Sequence, residues 1–401
     1  MKILHVNNNF HFVGGTEQYL YSICSELSSL GHRNAVIYDA PHADDYIDAA
    51  ENRYIIPRLD DFDNRLTREV ESHVESVVKK EKPDVIYLHN IHNPCVVRIL
   101  TGLAPVVKFV HDHEFYCPKG IRILNDRLCC NSRSLICMVN ALRGNGYRCM
   151  GGRSELRMIV KKSRQLVMNK RAHRKIKKFI VASHHMKNNL ISMGYQEDRI
   201  TVVPYFTDIP DGVTQANEQN KILFAGRLSP EKGLDIFFDI LALMEVDFRC
   251  VIIGDGPSHY VTMLRNKVKE KNLDNNVEFL GWVDNKCLGE YYAESAFLAV
   301  PSVWPEPFGI VGIEAMSHSR PVISFNVGGI SEWLEDNKTG FLVERNNKKD
   351  FAGKMELLLK DKALRNELGR NAYERASAVF NKANHVQTLI SVFNEVIDRK
   401  N

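Results

Sequence analysis

The feature that most constrains this chain is a repeated alternation of short, β-branched apolar runs with longer stretches of helical periodicity. In the first half the runs fall at residues 3–6, 35–38, 85–88, 106–110, 179–181 and 200–203, with helical patterns at about 16–30, 66–80 and 184–193. A strand covered on both faces reads as a continuous apolar run because neither face meets water. Such strands, joined by helices, make parallel sheets. The alternation breaks over 206–220, which holds Pro210, Gly212 and three acidic residues, the composition of a linker. It then resumes with runs at 222–225, 249–253, 277–279, 297–300 and 321–324, and helical patterns at about 233–244, 260–271, 309–318 and 350–367. The expectation is an α/β protein of two Rossmann-like domains facing each other across a cleft. A length of 401 residues is also more than one hydrophobic core usually spans.

Apolar residues make up 44% and charged residues 25%, which argues against a largely disordered chain. The opening apolar run stops at Asn7, so it fits a buried strand better than a secretory signal, and no stretch reaches the roughly 18 apolar residues of a membrane span. The expected location is cytoplasmic, with reduced thiols.

Ligands in such sheets bind beyond the carboxyl ends of the strands, so the loops there carry the search. After the first strand, Gly14 and Gly15 open a helix whose N-terminus favours a phosphate or an acidic oxygen; the same pair also serves as a plain tight turn. In the second half Gly226 ends a strand, Arg227 follows, and Lys232 and Gly233 open a helix. Two cations there suit a diphosphate, and arginine can bind two oxygens at once. The next strand ends in Gly254, Asp255 and Gly256, a glycine turn that could let a nucleotide lie against backbone. The densest element runs from Pro301 to Met316. Glu306 lies in its loop and Glu314 on its helix, within an apolar run where a solvated carboxylate is unexpected, while Gly309 and Gly312 would admit a ligand closely.

In this order, Gly14 and Gly15, His111 with Asp112, Gly226 with Arg227, Lys232 with Gly233, the Glu306 and Glu314 pair, Gly328 and Gly329 to Glu332, and Thr339 with Gly340 resemble the retaining GT-B glycosyltransferases of family 4, the group 1 type, which use nucleotide sugars. The resemblance implies an acceptor-side domain over 1–208, a donor-binding domain over 220–379, and a terminal helix over 380–401 crossing back to the first domain. It implies that Arg227 and Lys232 hold the donor diphosphate, that Gly15 meets the same phosphates, that Glu314 binds the ribose hydroxyls and Glu306 those of the sugar. Gly226, Gly254, Gly256, Phe308, Gly309 and Ile310 join the donor-binding set. His111 would position the sugar near its anomeric carbon, and Glu17, Asp112 and Trp304 are candidate sugar or acceptor contacts. Transfer would retain the anomeric configuration without a required cofactor or metal. The donor favoured is a UDP-sugar, with GDP- and ADP-sugars as alternatives, and the acceptor a glycan or lipid-linked hydroxyl in surface polysaccharide, glycolipid or glycan assembly. A nucleotide-sugar 2-epimerase and a non-catalytic two-domain sugar-binding protein are the competing readings.

Two features of the insertion at about 113–178 fit neither alternation nor motif. Cys117, Cys129, Cys130, Cys137 and Cys149 place five of the nine cysteines in 33 residues. A structural zinc is one reading, although no pair has the usual two-residue spacing; packing or later oxidation are the others. From Arg153 to Lys178 the chain carries eleven Lys and Arg and one acid, Glu155, so a net +10 sits in one segment and −6 in the rest of a chain of net +4. Read as a helix, it sets Leu156, Ile159, Val160, Leu166 and Val167 on an apolar stripe beside a basic face. That suits contact with anionic lipid at the inner face of a membrane, or a solvated face with its apolar side on the sheet. No motif or aromatic interleaving points to nucleic acid.

Overall fold

The computed structural model describes residues 1–8, 15–39, 50–60, 68–117, 120, 122–124, 127–128, 153–213 and 220–398. It divides into two units, Met1–Val203 with Val386–Asn401, and Pro204–His385.

The first unit runs β1 (Lys2–Val6), α1 (Gly15–Ser29), β2 (Arg33–Tyr38), β3 (Asn52–Ile55), α2 (Arg68–Glu81), β4 (Val85–Leu88), α3 (Pro94–Leu103) and β5 (Val106–Val110). It continues with the ribbon β6 (Ile123–Leu124) and β7 (Arg127–Leu128), then α4 (Arg153–Ala172), β8 (Lys178–Val181), α5 (His184–Ser192) and β9 (Ile200–Val202). Seven strands form one parallel sheet in the order β3-β2-β1-β4-β5-β8-β9. Ile3, Leu4 and Val6 of β1 and all of β4 are fully buried, which is why they read as unbroken apolar runs.

The second unit repeats the plan with β10 (Lys221–Ala225), α6 (Leu234–Leu241), β11 (Arg249–Ile253), α7 (Ser258–Glu270), β12 (Val277–Gly281), α8 (Asn285–Glu294), β13 (Phe297–Val300), α9 (Ile310–Ser317), β14 (Val322–Phe325), β15 (Gly340–Val343), α10 (Lys348–Lys360) and α11 (Lys362–Val379). Its six parallel strands follow the order β12-β11-β10-β13-β14-β15. The interlocked rings of Phe237, Phe325 and Phe351 fill the space under α6 and α10, and each fully buried ring contributes about 1.5–3 kcal/mol. The last helix, α12 (Lys382–Asp398), groups with the first unit from Val386 onward, where Phe393 meets Tyr87 edge-on at 5.1 Å. The expected α/β class with two Rossmann-like sheets is therefore what the chain forms.

Three local readings are corrected. The pattern at 350–367 is two helices, because Asp361 leaves helical geometry and its side chain caps α11 by accepting from the Leu364 amide at 2.9 Å. The elements β3, α3, α8 and β15 were not apparent as periodic runs. The inward face of α4 and of the turn that follows it is polar: Gln165, Asn169 and, just past the helix, His173 are buried, whereas Val160 and Val167 are exposed. Gln165 donates to the His92 carbonyl at 2.8 Å, so this helix is seated by hydrogen bonding as well as packing. The apolar stripe thus does not lie on the sheet at these two positions; the Leu156 and Ile159 side chains fall outside the described residues.

Candidate functional site

Each sheet has a topological switch. In the first sheet the chain moves outward from β1 through β2 to β3 and then returns to β4 on the other side of β1; in the second it does the same from β10 through β11 and β12 to β13, so a crevice opens beyond the carboxyl ends of β1 and β10.

In the second unit the crevice is built from three loops. The amide of Gly226 donates to the Ile253 carbonyl at 3.0 Å and that of Leu228 to Asp255 at 2.8 Å, zipping the loop after β10 to the loop after β11. A Cβ on Gly254 would lie 1.8 Å from the Gly226 carbonyl oxygen, so only glycine permits this contact. A short turn over Pro230–Lys232 then ends at Gly233, with φ 73°, where a Cβ would fall 2.1 Å from the Pro301 oxygen. That approach lays the loop on the one following β13, and the Val303 amide donates to the Glu231 carbonyl at 3.1 Å.

The consequence is an ion pair between residues 74 apart in sequence. Lys232 Nζ donates to Glu306 Oε1 at 2.8 Å, and Ser302 Oγ donates to the same oxygen at 2.6 Å. Glu306 is buried, and the ammonium stands 5.6 Å over the ring of Trp304, itself buried. Burial alone would raise the Glu306 carboxyl. The charge of Lys232 and the hydrogen bonds from Lys232, Ser302 and Trp304 outweigh it and hold the group below its ordinary value. Arg227 is exposed and has no side-chain partner among the described residues. An exposed guanidinium on the same loop as a lysine already paired leaves Arg227 available to an incoming anion.

Glu314 lies a turn into α9, half-buried, and accepts from Tyr292 Oη of α8 at 2.8 Å. Burial raises its carboxyl, the Tyr292 bond opposes this, and Asp208 adds to the rise. The first amides of α9, including Ile310, have no intrahelical acceptor, a general property of helix starts that suits an oxygen-rich ligand. Gly309 precedes them with φ 95°.

Some expected roles change. Gly312 does not face a ligand: a Cβ there would lie 2.0 Å from the Trp333 ring, so the space is already filled. The Phe308 ring is buried against Tyr205 and Phe380, and its carbonyl accepts from Trp333 Nε1 at 2.6 Å. A Cβ on Gly256 would fall 2.0 Å from the Leu228 oxygen, so Gly254 and Gly256 both hold loop to loop.

In the first unit the corresponding crevice gathers different chemistry. Asn7 Oδ1 accepts from the Asn90 amide at 3.0 Å, while Asn7 Nδ2 reaches Glu17 Oε1 at 3.5 Å near the start of α1, where Gly15 lies. His111 follows β5 and is buried, its Nε2 3.1 Å from His89 Nδ1. His5 stacks on the other side of His89, with ring centroids 5.9 Å apart. Burial, then the neighbouring His111, His5 and Lys108, push His89 well below its ordinary value, so it is neutral. Lys108, also buried, donates to the carbonyls of His89 at 2.7 Å and Ile91 at 3.0 Å, and burial lowers its ammonium to about 8. Asp112 caps the turn His113–Phe115, accepting from the Glu114 amide at 2.7 Å.

Tyr292, Ser302, His89 and Trp333 carry no motif of their own; Ser302 lies within the element from Pro301 to Met316, and the others meet the site only through folding. Trp282, 60% exposed, follows β12 where the Gly254 amide donates to Gly281, and adds an aromatic face to that edge. Gly14, Cys129, Cys130, Cys137 and Cys149 lie outside the described residues; Cys117 is a half-buried free thiol. Among the described residues no three or more His, Cys, Asp or Glu side chains are placed so that they could hold a metal ion.

Comparison with known proteins completes the picture. Residues 13–209 match the family model described as Glycosyltransferase Family 4, and residues 206–375 the one described as Glycosyl transferases group 1. An uncharacterized glycosyltransferase of Methanocaldococcus jannaschii is 36% identical over 176 residues, 44% of this chain and 48% of that protein. A D-inositol 3-phosphate glycosyltransferase of Jonesia denitrificans is 34% identical over 170 residues, 40% of each. The chain thus spans about half the length of the curated relatives it matches. Among solved structures, Anabaena HepE in complex with UDP and glucose superposes with TM-score 0.74 at 22% identity, covering 98% of this chain and 100% of that one. Sucrose-phosphate synthase of Thermosynechococcus elongatus gives 0.77 at 18%, covering 99% of each.

Proposed function

We propose that this chain, which belongs to the GT-B glycosyltransferases, moves a sugar from a nucleoside-diphosphate sugar to a hydroxyl acceptor with retention at the anomeric carbon. What carries the reading is the Lys232–Glu306 pair at the switch point of the second sheet, with the exposed Arg227 earlier on the same loop as Lys232. As the sugar departs, negative charge grows on the diphosphate, and fixed cations stabilise that charge more than the ground state. Arg227 supplies one directly. Lys232 supplies the second as Glu306 turns its carboxylate from the ammonium towards the sugar hydroxyls.

Glu314 and Tyr292 form a carboxylate–hydroxyl couple suited to a ribose diol. The leaving phosphate accepts the acceptor's proton on the face it vacates, so no carboxylate nucleophile is needed. His111, set by its contact with His89, is the first unit's candidate sugar contact. Cationic side chains then do the electrostatic work without a metal. HepE was solved with UDP and glucose, which favours a UDP-sugar here.

The acceptor proposed is a glycan or lipid-linked hydroxyl. No helix among the described residues is long and apolar enough to cross a membrane. The exposed Val160 and Val167 on α4, with Arg164 and Arg171 exposed on the same helix, support peripheral contact with an anionic bilayer.

A thermal-shift screen of UDP-, GDP- and ADP-sugars tests the donor reading. A donor at 100 times its Kd should stabilise the fold by about 2.7 kcal/mol. Stabilisation by one nucleotide class is expected, and no shift with any of them contradicts the proposal.

A further inference from the structure

The basic charge of the first unit converges on a place that the transfer reading does not use. An open cavity of about 620 Å³ is lined by Arg174, Lys175, Lys177, Lys178 and Arg199, with Asp198 the one carboxylate among its lining residues. It sits at the amino ends of the central strands: Lys178 begins β8, and the Lys177 amide donates to the carbonyl of Val106, the first residue of β5, at 2.9 Å. His111 follows the other end of β5. Five residues at about 3.3 Å each put roughly 16 Å of strand between them.

The cations fall into two sets. Lys178 is nearly buried, its Nζ fixed by Glu395 at 3.0 Å and by the Asp198 carbonyl at 2.9 Å. Arg199 is half-buried, donates to the His173 carbonyl at 3.3 Å and lies over the Phe179 ring at 5.6 Å. These two form a fixed floor. Arg174, Lys175 and Lys177 are exposed, and none has a side-chain partner among the described residues. Five like charges around one hollow repel each other, and Asp198 and Glu395 offset only part of that. A bound anion carrying several charges removes the remainder, and a pre-fixed floor lowers the ordering cost of holding it. The volume is that of a small-molecule site, and guanidinium with ammonium donors match phosphate oxygens.

We propose that this cavity binds a phosphate-bearing ligand of two or more negative charges, at a site separate from the donor loops of the second unit. The proposal stands whether or not the transfer reading holds. Its test titrates inorganic pyrophosphate into the full chain, into Arg227→Ala, and into Arg174→Glu/Lys177→Glu, whose exposed substitutions should leave the melting temperature unchanged. Flotation with phosphatidylcholine vesicles, with and without phosphatidylglycerol, runs in parallel and includes Val160→Asp.

Saturable pyrophosphate binding that survives Arg227→Ala and weakens at least tenfold on charge reversal supports a soluble phosphate ligand. Flotation that needs phosphatidylglycerol, survives Val160→Asp and is lost on charge reversal assigns the phosphate to a lipid headgroup. Binding of neither probe, or binding indifferent to the charge reversal, overturns the proposal.

Discussion

Lys232 Nζ and Glu306 Oε1 lie 2.8 Å apart, on two loops that meet because Gly233 lets one backbone press on Pro301 of the other. The pair keeps a cation at the mouth of the second sheet in a fixed place while Glu306 remains ionised inside the protein. A carboxylate so held is a poor nucleophile and a good hydrogen-bond acceptor, which agrees with a transfer in which it grips sugar hydroxyls.

Removing Lys232 should cost more stability than removing the charge of Glu306. Lys232→Ala leaves a buried carboxylate without its counter-charge, a loss of about 3–5 kcal/mol, whereas Glu306→Gln leaves a neutral amide that can still accept from Ser302. Urea denaturation at pH 7 reads both. Equal losses, or a smaller loss for Lys232→Ala, would show that the pair is not a buried ionic contact.

Asp239 makes a second electrostatic prediction, away from the site. Its carboxylate bridges Lys267 at 3.1 Å, Lys271 at 3.1 Å and Lys348 at 2.7 Å, joining α6 to α7 and α10. Burial alone would raise it, but the three lysines lower it from 3.8 to about 2. A depressed carboxyl stabilises the fold fully above its unfolded value and loses that stabilisation as pH falls through the folded one. Asp239→Asn should therefore cost about 2 kcal/mol at pH 6 and low salt. The difference from the parent should narrow between about pH 4 and 2 and shrink with added salt. A difference that stays constant over that window contradicts the assignment.

Tyr292→Phe isolates the Glu314 couple. It removes one hydrogen bond to a charged group, about 1.5–3 kcal/mol, without altering the ring that packs there. If Glu314 binds the nucleotide part of the donor, the donor KM rises about tenfold or more with kcat little changed. A fall in kcat at constant KM would move Glu314 from binding to chemistry.

On the bilayer reading, Val160→Asp/Val167→Asp should reduce recovery with anionic vesicles severalfold while leaving the melting temperature within about 1 °C, because both side chains are already exposed. Unchanged flotation would mean that α4 is simply a solvated face.

The parts of this fold that were legible from sequence are those buried on both faces. All four residues of β4, Val85 to Leu88, are fully buried, so their run is unbroken by any charged or strongly polar residue. The strand β3 was not legible because Asn52 to Ile55 lies at the sheet edge with only alternate residues half-buried. The polar seat below α4 was hidden for a different reason: Gln165 and His173 are buried against hydrogen-bonding partners far along the chain, His92 and Tyr195, which periodicity does not encode. At the candidate site, residue types and loop positions were readable, but partnerships were not. Lys232 and Glu306 read as two separate contacts to a ligand, and the glycines at 254, 256 and 312 as room for one. Packing joins the first two and fills the space beside the other three.

If the second sheet's switch point holds a nucleotide sugar, it does so through Arg227 and Lys232. Calorimetric titration of UDP-glucose tests it most directly, comparing the parent chain, Arg227→Ala, Lys232→Ala and Asp239→Asn. The parent and Asp239→Asn should bind saturably, and each of the other two at least tenfold more weakly. Equal affinity in all four proteins would contradict it.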